Sequence, residues 1–178
     1  MQACVEKEAS LEAAGIETGQ DLHHPAGTLV IGIGNSLLCD DGAGVHVIEK
    51  LSHQTLPEDV EILDGGTLSF TLLEQVENCA HLIIVDAAEL GALPGTIQVF
   101  HDQELDQFLA TNNRPSVHEV NLLDVLTAAR FRGRYPPRCS MVGIQPENVD
   151  WSSTPSPAVA GAVNEAAAII AKLLGAKS

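Results

Sequence analysis

From Thr28 onward the chain alternates short apolar runs with stretches of helical periodicity, which restricts the folds open to it. Five runs have the length and the Gly, Pro, Asp or Asn flanks of β-strands: 29–33, 60–63, 82–85, 96–100 and 140–144. Helical spacing of apolar residues covers 41–53, 119–130 and 157–175. Such alternation favours a parallel sheet covered on both faces. The sequence therefore predicts an α/β fold, a three-layer αβα sandwich with a mostly parallel twisted sheet of about five strands.

The last of these helices has the clearest ends. Ser156 is the predicted N-cap, Pro157 lies in the first turn, and Gly175 follows the last apolar position. The whole chain has 178 residues and 45% hydrophobic content, which suits one domain with a real core. We assign residues 28–178 to a single α/β domain. Residues 1–27, with net charge -4 and no sustained periodicity, are predicted to be a flexible acidic extension.

Charge and composition exclude several classes of protein. The net charge of -15 repels a phosphate backbone, so we expect no nucleic-acid partner. The apolar runs fall short of the roughly 18 residues of a membrane span, and the acidic N-terminus is unlike a signal peptide. The four cysteines form no Cys-x-x-Cys pair, which indicates reduced thiols. We expect a cytoplasmic protein without membrane insertion, and a monomer of this size needs no partner to be stable.

Polar residues follow the predicted strands, and the richest segment is the glycine-rich stretch 32–44, which contains Asp40 and Asp41. The carboxyl ends of parallel strands gather at one edge of a sheet, the usual ligand crevice of such folds. That edge is predicted to collect five polar side chains: Asp41, Asp64, Asp86, His118 and Gln145.

Two of these carboxylates with the histidine make an oxygen and nitrogen donor set that suits a borderline divalent metal such as nickel or zinc. Each residue also has a structural alternative. Asp41 is suited to capping the following helix, and Asp64 to stabilising the Gly65-Gly66 turn. Asp86 is suited to capping a loop, and His118 to a place in the core or at a helix end.

Other catalytic motifs are missing from the sequence. It has no Gly-x-Ser-x-Gly elbow, no His-Glu-x-x-His helix and no phosphate-binding Gly-x-x-x-x-Gly-Lys loop. Gly32 and Gly34 begin a dinucleotide fingerprint, but Leu37 occupies the third glycine position. The acidic loop also disfavours a pyrophosphate. We therefore expect no nucleotide cofactor.

Taken together, six blocks in this order resemble the nickel-iron hydrogenase maturation proteases, the endopeptidases that trim the C-terminus of the hydrogenase large subunit. The resemblance runs from about Thr28 to Leu174. The blocks are Gly32-Ile-Gly-Asn35 with Leu38-Cys-Asp-Asp41-Gly-x-Gly44, Leu63-Asp64-Gly-Gly-Thr67, Val85-Asp86-Ala87, Pro94-Gly95-Thr96, Ser116-Val-His118 and Gly143-Ile-Gln-Pro146.

The resemblance implies that Asp41, Asp64 and His118 are the metal-contacting and catalytic residues. The partner would be the large-subunit precursor of a nickel-iron hydrogenase, and its own nickel would be the metal that these residues bind. Zinc or cadmium would be able to occupy the same ligands in vitro. Asp86 would orient a ligand, and the Gln145-Pro146 loop would lie near the crevice.

The sequence leaves some assignments open. Proton transfer is open to a liganded carboxylate or to an accessory Asp, either Asp40 or Asp86. The rival functions are a non-catalytic maturation chaperone that binds metal or precursor, and a related peptidase, such as a germination-type protease, whose acids act without metal. A group that we call the arginine cluster is either a solvated helix end or part of the surface that selects the precursor. It consists of Arg130, Arg132, Arg134 and Arg138.

Overall fold

The computed structural model describes residues 25–67, 70–111 and 117–175, except for the side chains of Val117, Glu119 and Val120. The predicted acidic extension lies outside the described residues apart from its last three positions, 25–27, and stays a prediction. The first strand begins at Thr28, where the predicted domain begins.

Five strands and five helices are formed by the described residues. The strands are β1 (Thr28–Ile33), β2 (Val60–Gly66), β3 (His81–Ala87), β4 (Ile97–His101) and β5 (Arg138–Ile144). The helices are α1 (Ala43–Ser52), α2 (Leu73–Asn78), α3 (Gln103–Thr111), α4 (Val117–Phe131) and α5 (Pro157–Gly175), and 3-10 turns cover Cys39–Gly42 and Phe70–Leu72. The five predicted strands and three predicted helices are confirmed. Helices α2 and α3 were not predicted, because six and nine residues are too few to show a clear helical period.

The sheet has the strand order β2-β1-β3-β5-β4. Strand β1 runs parallel to β2 and β3, and β3 runs parallel to β5, whereas β4 is antiparallel to β5. The predicted α/β fold with a mostly parallel sheet is confirmed. The four parallel strands end at the same side, which we call the carboxyl edge, and begin at the amino edge.

Helices cover both faces of this sheet, because successive side chains of a buried strand point to opposite faces. In β1, Leu29 and Ile31 pack into one core with α2, α3 and α4, whereas Val30 packs into the other core with α1 and α5. Strand β3 is buried along its whole length, as expected of a central strand in a doubly covered sheet.

A close backbone approach fixes the start of α1 against the sheet. A Cβ on Gly44 would collide with the carbonyl oxygens of Ile33 and Val85, so only glycine allows the helix to sit over the ends of β1 and β3. The segment just before this helix carries Asp40 and Asp41. Its position at the carboxyl edge is therefore set by backbone packing.

Helix α5 confirms its predicted ends and belongs to the core. The Ser156 hydroxyl accepts a hydrogen bond from the Val159 N–H at 3.3 Å, which is the predicted cap. By length and composition alone this 19-residue helix is long and apolar enough to cross a membrane, with a mean hydropathy of 1.4. Its apolar stripe, which includes Val163 and Ile170, instead packs against the sheet and α1, as in the core of a globular domain.

Candidate functional site

The crevice lies where the chain reverses direction across the sheet. From β1 the chain continues to β2 on one side of the sheet, and from β3 it continues to β4 on the other side, so the connections that leave these two neighbouring strands diverge at a switch point. The N–H of Gly34, just past β1, donates to the Gly66 carbonyl oxygen at 2.7 Å and joins the exits of β1 and β2. Gly34 has φ 143°, and a Cβ there would collide with the Asp41 carbonyl oxygen. This turn brings Asp41 back over the strand ends.

Asp41 is placed by the 3-10 turn and not by a helix cap. The N-cap of α1 is Gly42, which makes no side-chain capping bond. The Asp41 Oδ2 atom instead accepts the Asn35 N–H at 3.1 Å and lies 3.6 Å from Nε2 of His118. With an 18% exposed side chain, Asp41 is the member of this pair that is open to solvent. The carboxylate is therefore held in the crevice beside an imidazole.

His118 stands between two carboxylates. It lies in the first turn of α4 with only 7% of its side chain exposed, and its Nδ1 atom is 3.5 Å from Oδ1 of Asp86. Asp86 is the penultimate residue of β3 and is completely buried. The imidazole thus has one nitrogen toward the buried Asp86 and the other toward Asp41. Such a carboxylate partner fixes the ring orientation of a functional histidine.

Asp41, His118 and Asp86 form a row of side chains, and burial has the largest effect on the pKa of Asp86 within it. Burial raises the pKa of Asp86, the neighbouring His118 lowers it, Asp41 raises it again, and the result is about 6. A buried carboxyl with a shifted pKa next to an imidazole in a crevice is typical of functional sites. The alternative that Asp86 caps a loop does not fit its position inside β3.

Asp64 lies on the neighbouring strand, with its Cα paired in register with Gly32 of β1. Its side chain is exposed, and Oδ1 accepts the Gly66 N–H at 2.9 Å. This bond is the one expected if Asp64 stabilises the Gly65-Gly66 turn. Within the described ranges, no three His, Cys, Asp or Glu side chains are placed to hold a metal ion together. The structure therefore brings Asp41, His118 and Asp86 together and puts Asp64 on the same edge with a carboxylate turned to its own loop.

Asp40 differs from Asp41, because its side chain is fully buried and accepts hydrogen bonds from backbone N–H groups. Its Oδ2 atom accepts the N–H groups of Glu147 and Asn148 at 2.9 and 3.0 Å, and Oδ1 accepts the Ser156 N–H at 2.6 Å. These bonds join the segment before α1 to the loop that leads into α5. They explain why a carboxylate is required here in structural terms.

Two residues hold neighbouring loops around the crevice. Gln145 accepts the N–H groups of Leu90 and Ala92 on Oε1 at 2.8 and 3.3 Å, which ties the loop after β3 to the end of β5. Asn121 donates from Nδ2 to the Thr67 carbonyl oxygen at 3.1 Å and ties α4 to the loop after β2. The sequence placed Gln145 near the crevice but missed Asn121. The sequence signal for Asn121 was its position three residues after His118, because residues three apart in a helix are neighbours on its surface.

The arginine cluster lies at the amino edge of the sheet, opposite the crevice. Arg130 donates from Nη2 to both carboxylate oxygens of Asp106 at 2.6 Å. The buried Glu77 lies 2.9 Å from Nε of Arg132 and 4.0 Å from Nη1 of Arg134. Since α4 ends and β5 begins at the amino edge, these arginines are far from the crevice. Their positions favour the structural alternative over contact with whatever binds at the carboxyl edge.

The fold and the crevice are those of an α/β protein with a carboxylate–imidazole row at the switch point of a parallel sheet. Comparison with known proteins narrows this class. The family model described as hydrogenase maturation protease, HycI, matches residues 45–173. The chain belongs to the hydrogenase maturation protease family, and it is an endopeptidase by that membership.

Individual relatives agree with this family. The hydrogenase 2 maturation protease of Escherichia coli (strain K12) is 42% identical over 124 residues, which are 68% of this chain and 74% of that protein. The hydrogenase expression/formation protein HoxM of Azotobacter vinelandii is 37% identical over 123 residues, 68% of this chain and 59% of that protein. The solved structure of the hydrogenase maturating endopeptidase HybD from E. coli has a TM-score of 0.78 at 37% identity, covering 84% of this chain and 92% of that chain. The resemblance seen in the sequence is confirmed.

Proposed function

We propose that this endopeptidase removes the C-terminal extension of a nickel-iron hydrogenase large-subunit precursor after the precursor has received its nickel. The observation that carries the proposal is the row Asp41–His118–Asp86 at the switch point, in which Asp41 and Nε2 of His118 face the crevice and Asp86 is buried behind the imidazole. In this proposal nickel belongs to the substrate. The enzyme recognises the nickel-loaded precursor by binding this nickel through Asp41, His118 and Asp64.

The geometry of two of these groups suits a shared ion. Oδ2 of Asp41 and Nε2 of His118 are 3.6 Å apart, so both atoms can lie about 2.1 Å from one metal ion, the usual length of such bonds. Oxygen and imidazole donors suit a borderline divalent metal. The same donors are also the basis for expecting zinc or cadmium to bind in vitro.

Asp86 supports this arrangement from the buried side. Its carboxylate faces Nδ1 of His118, which favours the tautomer with the proton on Nδ1 and the lone pair of Nε2 directed at the crevice. Asp86 is completely buried, so it acts through His118 and not on the substrate. Asp64 lies at the exit of β2 with its carboxylate turned to its own loop, so in this proposal its side chain turns toward the crevice to join the other two ligands when the nickel-loaded precursor binds.

Held by Asp41, His118 and Asp64, the nickel of the bound precursor would supply Lewis-acid chemistry, polarising the scissile carbonyl or a water molecule. Proton transfer then falls to a liganded carboxylate of the crevice, Asp41 or Asp64, since Asp40 is used by three backbone N–H groups and Asp86 has no access to solvent. No serine or cysteine nucleophile is needed for this chemistry. The described cysteines are buried, and burial raises the pKa of Cys79 to about 12 and that of Cys139 to about 11.

The setting of this reaction is part of the proposal. Buried free thiols at Cys39, Cys79 and Cys139 suit the reducing cytoplasm. Within the described residues, no disulfide joins them. We propose that the protein acts there as a monomer on a folded precursor.

The test is to incubate the purified protein with nickel-loaded and nickel-free precursor and to follow the C-terminal mass of the precursor. We expect cleavage of the loaded form alone, and a loss of at least 100-fold in rate for Asp41→Ala, Asp64→Ala and His118→Ala, as for removal of a group acting in the transition state. Asp59→Ala, an exposed carboxylate at the other end of β2, is the matched control and keeps full activity.

Three results would contradict the proposal in different ways. Normal cleavage by Asp64→Ala would remove that residue from the metal-reading set. Cleavage that a chelator does not affect would favour a peptidase whose acids act without metal. Binding of loaded precursor with no change in its mass would favour a chaperone.

A further inference from the structure

Large apolar side chains are exposed at the carboxyl edge more than elsewhere in the described parts of the chain. Of seven such side chains, five lie in loops that follow the parallel strands: Leu37, Phe70, Leu93, Val149 and Trp151. Single exposed apolar residues are ordinary, but several in one region mark an interaction surface. Leu37, Val149 and Trp151 belong to two loops that are bonded to each other, and we call these three residues the apolar rim.

The apolar rim is built into the site. The Cys39 N–H donates to the Ser152 carbonyl oxygen at 2.6 Å, and the Ser152 N–H donates to the Leu37 carbonyl oxygen at 3.1 Å. The buried Asp40 carboxylate adds its three bonds to the same loop. Trp151 is nevertheless 81% exposed, although a ring of this size gains most from burial. Backbone bonds thus hold the loop in place and leave its indole ring in water.

The loops that carry the rim are joined by their backbone to the segment that leads into the crevice. Leu38, which pairs with Ser152, is three residues from Asp41, so their Cα atoms are within about 11 Å. A folded substrate whose tail enters the crevice must therefore place its body over the neighbouring loops. The rim is the apolar part of those loops that is anchored to the segment carrying Asp41.

Charge around the rim specifies the surface it fits. The described loops after the four parallel strands carry Asp41, Glu89, Glu147 and Asp150 among their acidic residues and contain no Lys or Arg. Over residues 28–100 the chain has 11 acidic residues and one lysine. A complementary partner surface presents apolar side chains flanked by basic ones.

We propose that the apolar rim is the docking surface for the folded body of the precursor, and that Trp151 is its main contact. The proposal rests on the proposed function, because it takes the precursor as the partner. Its chemistry is a surface patch of apolar side chains bordered by lysine or arginine, next to the C-terminal extension. Tryptophan is among the residues whose truncation costs interfaces most.

The experiment compares Trp151→Ala and Trp151→Phe with Phe131→Ala, using full-length nickel-loaded precursor. Phe131 is 93% exposed at the end of α4, on the amino edge, and is the matched control for loss of an exposed aromatic ring. We expect Trp151→Ala to raise KM about 10-fold or more with kcat unchanged, Trp151→Phe to recover most of the loss, and Phe131→Ala to match the wild type. Unfolding midpoints of all three variants should equal that of the wild type.

A charge reversal tests the second half of the proposal. Asp150→Lys should raise KM for the precursor, and this difference should shrink at high salt because exposed charges are screened. An unchanged KM in Trp151→Ala would overturn the docking proposal, and an unchanged KM in Asp150→Lys would overturn its charged half. A loss of kcat without a change in KM would also overturn the docking proposal, since that result assigns Trp151 to the reaction and not to docking.

Binding measurements separate this proposal from the proposed function. Affinity for the precursor is measured directly, with cleavage followed in parallel. If the wild type binds but does not cut, the proposed reaction fails, and weaker binding of Trp151→Ala still supports the rim. If the wild type cuts and Trp151→Ala binds and cuts equally well, the rim fails alone. If the wild type neither binds nor cuts any large-subunit precursor of its host, both fail.

Discussion

Replacing Asp40 tests whether this buried carboxylate is a structural clamp. Its two oxygens accept the N–H groups of Glu147, Asn148 and Ser156 at distances from 2.6 to 3.0 Å, and the side chain is completely buried. Asp40→Ala leaves all three donors without their acceptor. Asp40→Asn keeps the shape but removes the charge and points an amide N–H₂ at one or more backbone donors.

The expected loss of stability follows from these bonds. A buried donor without an acceptor costs about 1–3 kcal/mol, and bonds to a charged acceptor lie at the upper end. The cost of three unpaired donors would sum to more than this range. Water can bond to some of them once the side chain is removed, and single substitutions rarely cost more than about 4–5 kcal/mol. We expect about 3 kcal/mol for Asp40→Ala and about 2 kcal/mol for Asp40→Asn.

The effect should also depend on pH. Burial raises the pKa of Asp40, but the N–H groups of Ser156, Asn148 and Glu147 lower it more, so the folded-state pKa lies below the ordinary 3.8. A carboxyl with a depressed pKa stabilises the fold at pH values above its unfolded-state pKa, and this contribution is lost as the pH falls through the folded-state value. The advantage of the wild type over Asp40→Asn should therefore be constant near neutrality and shrink below about pH 4.

Urea unfolding at several pH values, followed by circular dichroism, measures both quantities. Asp150→Ala, an exposed carboxylate in the same loop, is the control and should stay within about 0.5 kcal/mol of the wild type. A loss below about 0.5 kcal/mol for Asp40→Ala would refute the clamp. Full stability with abolished precursor cleavage would instead return Asp40 to the proton-transfer candidates.

Two further predictions concern other parts of the fold. Burial and the nearby Arg138 lower the pKa of His81 from 6.5 to about 4, so unfolding takes up a proton and stability should fall as the pH drops from 6.5 to 4. The slope is at most about 1.4 kcal/mol per pH unit, and His81→Gln should flatten it in urea titrations; an unchanged slope in that variant would contradict the burial of a neutral imidazole. Ser156→Ala should cost about 1 kcal/mol in thermal unfolding by removing the cap of α5, and an equal cost for the exposed Ser153→Ala would contradict the capping role.

Much of the fold was predictable because its signals are local. The short apolar runs of β1 to β5 and the long apolar stripe of α5 are spaced by the geometry of the strand and the helix, so periodicity alone locates them. Ser156 was predictable as a cap for the same reason, since a cap acts within three residues. The antiparallel direction of β4 carried no such signal, because pairing direction is decided by which neighbour a strand meets.

The site shows where local reasoning ends. The sequence by itself indicated that Asp41, Asp64, Asp86 and His118 lie near the ends of elements that meet at one edge, and the family blocks supported that choice. Only the tertiary structure decided the partners, because His118 lies 32 residues beyond Asp86 and 77 beyond Asp41 in the chain, and packing alone brings the three together. Packing likewise separated two adjacent carboxylates. Asp41 faces the crevice, whereas Asp40 points into the protein, where three backbone N–H groups more than 100 residues away require an acceptor.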